Sequence, residues 1–329
     1  MLHADRLLLG LAPEILFCVF EFFKDSPHLV VRALSTCNVL WCGVKGAPID
    51  MAACEQELAE TRLGFFATSE RFKFRGVKLT LLDITFVQLG ALKTFMLRHS
   101  CAFLSELDLS NCPCLTNLEA LRRCTLLRSL RVVNCDQLGS LAGLADCAAL
   151  TKLDFSGCGR GLTDLRPLSA LGSLQVLAIR ACHVTDLSGL SECYALRILD
   201  ASFCLSLVDV SAVSTCAALE NLDLCGCSSL ADVSLAPCAS LCKLDLSGCV
   251  QLTTVARLSG CASLQILDVS DCCDLATVAG LAGCASLHTL DVSDCRLLLQ
   301  RQVADPDFLR DSLPMLSLII MPDGVVSVR

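Results

Sequence analysis

Cysteine is the residue whose number and spacing offer the most chemistry, since 25 of the 329 residues are cysteines. Two regular rows account for 17 of them. The first thiol row recurs every 22 to 24 residues: Cys112, Cys135, Cys158, Cys182, Cys204, Cys227, Cys249, Cys272 and Cys295. The second thiol row is Cys101, Cys124, Cys147, Cys193, Cys216, Cys238, Cys261 and Cys284. Thiols can pair as disulfides, bind metals or donate weak hydrogen bonds, so the spacing has to decide between these roles.

Structural thiols in a reducing compartment are the interpretation that this spacing favours. The cysteines are phased with a repeat rather than clustered, and no Asn-x-Ser/Thr sequon occurs in the chain. Leu171 takes the place of a second-row cysteine, which indicates that the position requires an apolar filler. We therefore expect a cytoplasmic or nuclear protein without a disulfide framework.

Metal binding is the alternative role for the cysteines. Three close pairs invite it: Cys112 with Cys114, Cys225 with Cys227, and Cys272 with Cys273. None of these pairs has the C-x-x-C spacing of a zinc site, and no histidine is suitably phased beside them. We therefore predict no metal and no other cofactor.

Aspartate forms a second recurrent set, which we call the aspartate row. Its members follow a recurring leucine directly: Asp108, Asp154, Asp200, Asp223, Asp245, Asp268 and Asp291. Arg131 and Ala178 occupy the equivalent place in two further units. Carboxylates about 5 Å apart repel weakly in water and favour a cationic guest. The alternative is that this aspartate is simply common in repeats of this kind.

A binding surface for a target protein is the role that we predict for this row and for the irregular units beside it. Arg160 lies in an extended loop, and Arg180, His183 and Phe203 replace small or polar residues. An aromatic side chain next to an arginine is typical of binding hot spots, so Phe203 with Arg180 is the predicted centre. The predicted target-binding residues are Arg131, Asp154, Arg180, Asp200, Phe203, Asp223, Asp245 and Asp268.

Catalysis is not indicated by the sequence. No H-E-x-x-H, G-x-S-x-G or Walker sequence occurs, and the five histidines are scattered. The aspartates lack a basic or metal-binding complement in a closed pocket. We therefore predict that the protein is not an enzyme.

A repeat must position all of these residues. Leucines lead nine successive units: Leu104, Leu127, Leu150, Leu174, Leu196, Leu219, Leu241, Leu264 and Leu287. Each unit continues as L-x-x-L-x-L-x-x-C, in which alternating apolar residues predict a short strand. Later leucines such as Leu115, Leu118 and Leu121 recur every three residues and predict short helical or turn segments. One unit cannot bury its own apolar face, so the units are expected to stack into a solenoid with a concave parallel sheet.

The predicted boundaries place this solenoid at residues 76–329. Nine full repeats occupy about 101–300, and strands led by Leu79 and Leu313 are expected to form degenerate caps at 76–100 and 301–329. The pattern resembles the cysteine-containing leucine-rich repeats over about three quarters of the chain, which implies an α/β solenoid. The resemblance also implies that the first-row cysteines face inward and satisfy backbone carbonyls at the bend after the strand.

An apolar segment near the N-terminus predicts a separate helical head at 1–50, followed by a helical linker at 51–75. One stripe of a helix would carry Leu11, Ile15, Leu16, Val19, Phe20 and Phe23. A second apolar segment ends near Trp41. Apolar side chains on more than one side of so short a segment call for a partner.

This head resembles an F-box, whose pattern is Leu-Pro-x-Glu-Ile-Leu-x-x-Ile-Phe-x-Phe-Leu followed by a second helix. The sequence departs from the pattern at Ala12, with Pro13 one residue late, and at Trp41, one residue beyond its usual place. The resemblance implies that Leu11, Pro13, Ile15, Leu16, Val19, Phe20, Phe23 and Trp41 contact a Skp-family adaptor. It further implies a substrate receptor in an SCF-type ubiquitin ligase built on a cullin scaffold. The alternative is a plain hydrophobic cap on a repeat scaffold with no ubiquitin role.

Composition excludes two classes of partner. The net charge is -8 and no run of five or six like charges occurs, so we expect no nucleic acid. The apolar run from Leu7 to Phe23 is interrupted by Pro13, Glu14 and Glu21, so we expect no membrane span. The predicted partner is a protein target with a basic surface.

Overall fold

The structure is a computed structural model of the chain. It describes residues 49–50, 77–80, 104–235, 238–300, 313, 315–321 and 324–327.

A single sheet contains the 13 strands of the described residues, and their order in the sheet is their order in the chain. The strands are β1 Ile49–Asp50, β2 Val77–Thr80, β3 Leu104–Asp108, β4 Ser129–Arg131, β5 Lys152–Asp154, β6 Val176–Ala178, β7 Ile198–Asp200, β8 Asn221–Asp223, β9 Lys243–Asp245, β10 Ile266–Asp268, β11 Thr289–Asp291, β12 Leu318–Met321 and β13 Gly324–Ser327. Strands β1 to β12 pair in parallel, and β13 pairs antiparallel with β12. We number the nine repeats units 1 to 9, from β3 in unit 1 to β11 in unit 9.

The register of the sheet places equivalent residues of each unit side by side. Leu130, Leu153 and Leu177 pair in sequence, as do Leu222 and Leu244 further along. These central leucines are buried, and so are the leading leucines from Leu127 onward. Because side chains alternate along a strand, the residues on either side of each central leucine face the open side of the sheet. The predicted parallel sheet is therefore present, with one buried core running the length of the stack.

Short 3₁₀ helices form the other side of the stack, as the three-residue recurrence predicts. They are Glu119–Arg123, Ala142–Leu144, Arg166–Ala170, Ser188–Leu190, Ser211–Thr215, Ala256–Leu258 and Ala279–Gly283. Each buries at least one apolar side chain, such as Leu144 or Leu168. The only described α-helix, α1 Arg296–Gln300, follows the strand of unit 9.

Both cap strands differ in register from the prediction. Leu79 pairs with Leu107 rather than with the leading leucine of unit 1. At the other end Ile319 pairs with Leu290, so Leu316 takes the leading place that we expected for Leu313. Each shift is three residues, because the connections to the caps are longer than those between the units. The sheet also includes β1, which lies within the segment 1–50 assigned to the helical head.

Candidate functional site

The first thiol row ties each unit to the one before it. From unit 2 to unit 9, the thiol donates a hydrogen bond of 2.9 to 3.3 Å to a backbone carbonyl of the preceding unit. Cys204 bonds the carbonyl of Ile179, for example, and Cys249 bonds that of Leu224. Burial raises the pKa of Cys204 to about 11 and that of Cys249 to about 12. The thiols therefore remain protonated donors, as the repeat pattern implied.

From Cys147 to Cys284, the thiols of the second row also donate to backbone carbonyls of the preceding unit, at 3.3 to 3.7 Å. Cys147 donates to the carbonyl of Leu121, which also accepts the backbone N–H of Cys124. Leu171, which lacks a thiol, is buried in this row. The carbonyl of Leu144 that its thiol would reach already accepts the N–H of Cys147, so no carbonyl is left without a donor. This explains why leucine is tolerated here.

Each close cysteine pair combines one buried and one partly buried thiol in the described part of the chain. Cys227 and Cys272 are buried and donate to carbonyls, whereas Cys225 and Cys273 beside them are only partly buried. No group of three or more potential metal ligands occurs among the described residues.

The repeating leucines and the described members of both thiol rows now have defined places in the stack. The fold is a leucine-rich-repeat solenoid. No helix within the described ranges combines the length and the apolar character that crossing a bilayer requires.

The aspartate row has a structural role that the sequence interpretation missed. In all seven members, Oδ1 accepts the backbone N–H of the residue two positions later, at 2.9 to 3.0 Å. In five of them Oδ1 also accepts a serine hydroxyl at 2.6 Å. Each carboxylate thus satisfies a donor at the bend after its strand. One carboxylate oxygen is committed to the fold in every member. In Asp108 and Asp154 the other oxygen pairs with Arg131, so Oδ2 is left for a ligand only in units 5 to 9.

The two breaks in this row behave differently from its members. Arg131 lies between two neighbouring carboxylates, 3.2 Å from Asp154 and 3.8 Å from Asp108. The N–H of Val133, which has no aspartate two positions before it, donates instead to the hydroxyl of Ser110 in the preceding unit. In unit 4, Ala178 and Arg180 replace the aspartate and the residue that it would cap. Arg131 is thus paired within the sheet, whereas unit 4 interrupts the row.

Carboxylates without a cation between them crowd the row in units 5 to 9. Asp200, Asp223, Asp245, Asp268 and Asp291 pair in register on adjacent strands. Partial burial raises the pKa of Asp223 and of Asp268, and the neighbouring carboxylates raise both further. This part of the sheet therefore has a negative potential.

Phe203 and Arg180 lie together, as the sequence suggested. The Arg180 guanidinium carbon is 4.8 Å from the centre of the Phe203 ring, which is cation–π distance. Phe203 has φ = 59°. Its equivalents in the other units also have positive φ, between 55° and 72°: Asn111, Asn134, Gly157, Ala181, Gly226, Gly248, Asp271 and Asp294. We call these nine positions the turn row. Glycine, asparagine and aspartate tolerate this left-handed conformation, whereas a bulky residue such as Phe203 is unfavourable there.

Unit 5 contains more exposed large hydrophobic side chains than any other described unit. It contributes Tyr194, Ile198, Phe203, Leu205 and Val208 to the eight large hydrophobic side chains that are exposed in the described residues. Phe203, Leu205 and Val208 lie within six residues on the turn side, and we call them the turn patch. They are 42%, 56% and 57% exposed. The sequence interpretation named Phe203 but missed Leu205 and Val208, although both stand out where most other units have small or polar residues.

Charge is also distributed unevenly along the stack. Residues 101–192, the first half-solenoid, contain eight Lys and Arg and nine Asp and Glu. Residues 193–295, the second half-solenoid, contain three cations, Arg197, Lys243 and Arg257, and eleven carboxylates. The second half-solenoid therefore carries a net charge of -8, equal to that of the whole chain. The turn patch lies at the start of this acidic half.

Comparison with known proteins adds only likenesses of fold. No protein-family model matches the chain, and no curated protein matches its sequence. Internalin C2 from Listeria monocytogenes is 16% identical, with a TM-score of 0.42 over 70% of this chain and 83% of its own. A second internalin of that organism, inlF, is 15% identical, with a TM-score of 0.43 over 75% of this chain and 80% of its own.

The mouse RP105/MD-1 complex is 19% identical, with a TM-score of 0.49 over 75% of this chain. The match spans 42% of the length of that chain. These structural neighbours are leucine-rich-repeat proteins. Because every one of these TM-scores is below 0.5, the assignment of the fold rests on the strand register and the repeat spacing.

The predicted adaptor-binding residues all lie outside the described residues: Leu11, Pro13, Ile15, Leu16, Val19, Phe20, Phe23 and Trp41. The predicted target-binding residues are all described. The structure brings Arg180 to Phe203 and aligns Asp200, Asp223, Asp245 and Asp268, whereas Asp154 pairs with Arg131 and is separated from that row by Ala178.

Proposed function

We propose that the chain is a protein-binding solenoid that serves as the substrate receptor of an SCF-type ubiquitin ligase. One observation carries the binding half of the proposal: the concentration of exposed apolar side chains in unit 5 of an otherwise regular stack. Exposed large hydrophobics that occur singly need no explanation, but a cluster is typical of an interaction surface.

A protein target suits this surface better than a small molecule does. The aspartate row lies along an open sheet of parallel strands, where water reaches a bound ligand from one side. Aromatic and arginine side chains are enriched at binding hot spots, and Phe203 with Arg180 supplies both. Catalysis is not part of the proposal, because each carboxylate of the row caps a turn.

The ligase half of the proposal rests on the sequence of residues 11–41. In this proposal the helical head binds a Skp-family adaptor, and the adaptor connects the chain to a cullin scaffold. The solenoid holds a target with a basic surface. An F-box followed by cysteine-containing repeats is a known pairing, so the fold of the second element supports the assignment of the first. The alternative function is a repeat scaffold with no ubiquitin role.

Affinity capture of the full chain with a Leu16→Asp and Phe20→Asp double variant tests the ligase half. We expect the wild-type chain to retain a Skp-family adaptor and the variant to lose it, because two charges would enter the predicted docking stripe. A Phe17→Asp and Cys18→Asp double variant, changed outside the stripe, is the matched control and should retain the adaptor. If the wild-type chain retains no adaptor, the ligase assignment is wrong and the scaffold function stands.

A further inference from the structure

The turn row changes character along the second half-solenoid. From unit 5 to unit 9 it reads Phe203, Gly226, Gly248, Asp271 and Asp294. Neighbouring parallel strands are about 4.8 Å apart, so Asp271 lies about 14 Å and Asp294 about 19 Å along the row from Phe203. An apolar end and an acidic end are thus joined by two positions without side chains.

Phe203 forms the apolar end. Its ring lies between Arg180 of unit 4 and Gly226 of unit 6, where a Cβ would come within 2.8 Å of ring carbon Cδ1. Gly226 therefore lets the ring lie against the backbone, and Gly248 beyond it adds no side chain. Leu205 and Val208, two and five residues later in the chain, are exposed apolar side chains of the same unit. The two central positions of the turn row therefore have no side chain that would obstruct a bound chain.

Asp271 and Asp294 form the acidic end. Both are exposed, and neither side chain has a hydrogen bond or ion pair within the described part of the chain. Of the three cations in the second half-solenoid, Arg197 pairs with Glu220 and Arg257 with Asp232. Arg296 is also exposed, two residues after Asp294, but no ion pair joins it to either aspartate within the described residues, so the acidic end keeps a net negative charge. Arg180 stands at the opposite, apolar end. The turn row is therefore complementary to a ligand that is apolar at one end and cationic at the other.

We infer that the turn patch and the turn row bind an extended segment of a partner protein, in which one large apolar residue is followed or preceded by Lys or Arg about four and six residues away. The spacing comes from the geometry, since an extended chain advances about 3.4 Å per residue and covers 14 and 19 Å in about four and six residues. Even separations also place all three side chains on one face of the segment. The inference rests on the proposed protein-binding function and names the chemistry of the bound segment.

Display of a random 12-residue peptide library against the full chain tests the inference. We expect enriched peptides to share an aromatic or large aliphatic residue with Lys or Arg at the stated spacing. The consensus peptide is then synthesised and its binding measured by fluorescence anisotropy. Phe203→Asn should weaken binding on the order of tenfold, because a hot-spot aromatic is lost. A double Asp271→Asn and Asp294→Asn variant should weaken it several-fold and reduce its sensitivity to salt.

Matched controls exist in the chain. Leu126→Ser removes a hydrophobic side chain of the first half-solenoid that is 42% exposed, as Phe203 is, and a double Asp136→Asn and Asp146→Asn variant removes two exposed carboxylates of unit 2. Both should bind the peptide as the wild type does. Asparagine is native to the turn row at two positions, so Phe203→Asn should remain folded.

Two outcomes would overturn the inference. In one, the enriched peptides are acidic or show no such spacing; in the other, they bind the variants as tightly as the wild type. A protein-binding function would survive either outcome, because the same peptides would then map another surface. Failure to enrich any peptide would also overturn the inference, and the adaptor capture described above would still report separately on the ligase half.

Discussion

The two half-solenoids have matching interiors and contrasting exteriors. Central leucines and first-row thiols are buried in both, with the same hydrogen bonds from thiol to preceding carbonyl. Outside, the first half balances eight cations against nine carboxylates, whereas the second has three against eleven. Arg131 pairs with aspartates on both neighbouring strands of the first half, and no cation takes such a place in the aspartate row of units 5 to 9.

The contrast shows at which positions of the stack the residue type is constrained and at which it can vary. A buried position must match its neighbours in the adjacent units, so its residue type repeats along the stack. An exposed position has no such partner, so a cluster of large apolar groups there has no packing explanation. Departures from the repeat on the open surface are therefore the best guide to binding.

Core truncation should have the largest effect and should be equal in the two halves. Leu153→Ala in unit 3 and Leu222→Ala in unit 6 each empty a buried site, and each should lower the free energy of unfolding by about 2 to 5 kcal/mol. Urea denaturation of the two variants measures this. A loss confined to one variant would contradict the equivalence of the interiors.

An exchange in the turn row should have an intermediate effect of opposite sign in the two halves. Asn134→Phe places a bulky residue at φ = 57° and should cost about 1 to 2 kcal/mol. Phe203→Asn relieves the same conformation and should leave the stability unchanged or raise it by up to about 1 kcal/mol, since the contact with Arg180 is lost at the same time. Thermal unfolding of both variants checks the signs, and a marked loss of stability in Phe203→Asn would show that the aromatic ring is needed for folding.

Neutralising one aspartate in each half-solenoid should have the smallest effect on the free energy of unfolding. The sign of that effect should differ between the two halves at neutral pH. Asp154→Asn loses an ion pair with Arg131 and should cost about 0.2 to 1 kcal/mol at neutral pH. Asp223→Asn retains an oxygen for the turn and removes a repelled charge, so it should stabilise slightly.

The sign of the pH dependence follows from the raised pKa of Asp223. The folded protein binds this proton more readily than the unfolded chain, so the ionised carboxylate lowers stability as pH rises above its ordinary pKa of 3.8. The gain from Asp223→Asn should therefore be present at pH 7 and disappear near pH 3. Unfolding curves at the two pH values measure it, and a gain that persists at pH 3 would rule out charge repulsion as its cause.

The regular part of the fold could be predicted from the sequence, because every unit repeats the same burial pattern. The caps could not be placed as well. The sequence L-x-x-L overlaps with itself after a shift of three residues, so Leu313, Leu316 and Ile319 offer two registers, and only pairing with Leu290 distinguishes them. The antiparallel strand β13 has no counterpart in the repeat, so the repeat pattern could not predict it.

The candidate site was predicted in part. Phe203 and Arg180 were recognisable because they break the repeat. The turn-capping role of the aspartate row was also present in the sequence, since six of its seven members are followed two residues later by serine. The units with Arg131 and Ala178 lack that serine, having Val133 and Arg180 instead. The pairing of Arg131 with Asp154 needed the strand register, which joins residues 23 positions apart.

The thiol bonds give the stack a direction. Each first-row thiol reaches back to the preceding unit, and several of the carbonyls that it meets, such as that of Leu224, already accept a backbone N–H. Removing unit 7 and the units after it would therefore leave the carbonyl of Leu224 with a donor, whereas removing unit 6 and the units before it would strip the buried S–H of Cys249 of its acceptor. At that junction, truncation from the N-terminal side should therefore destabilise the remaining stack more than truncation from the C-terminal side.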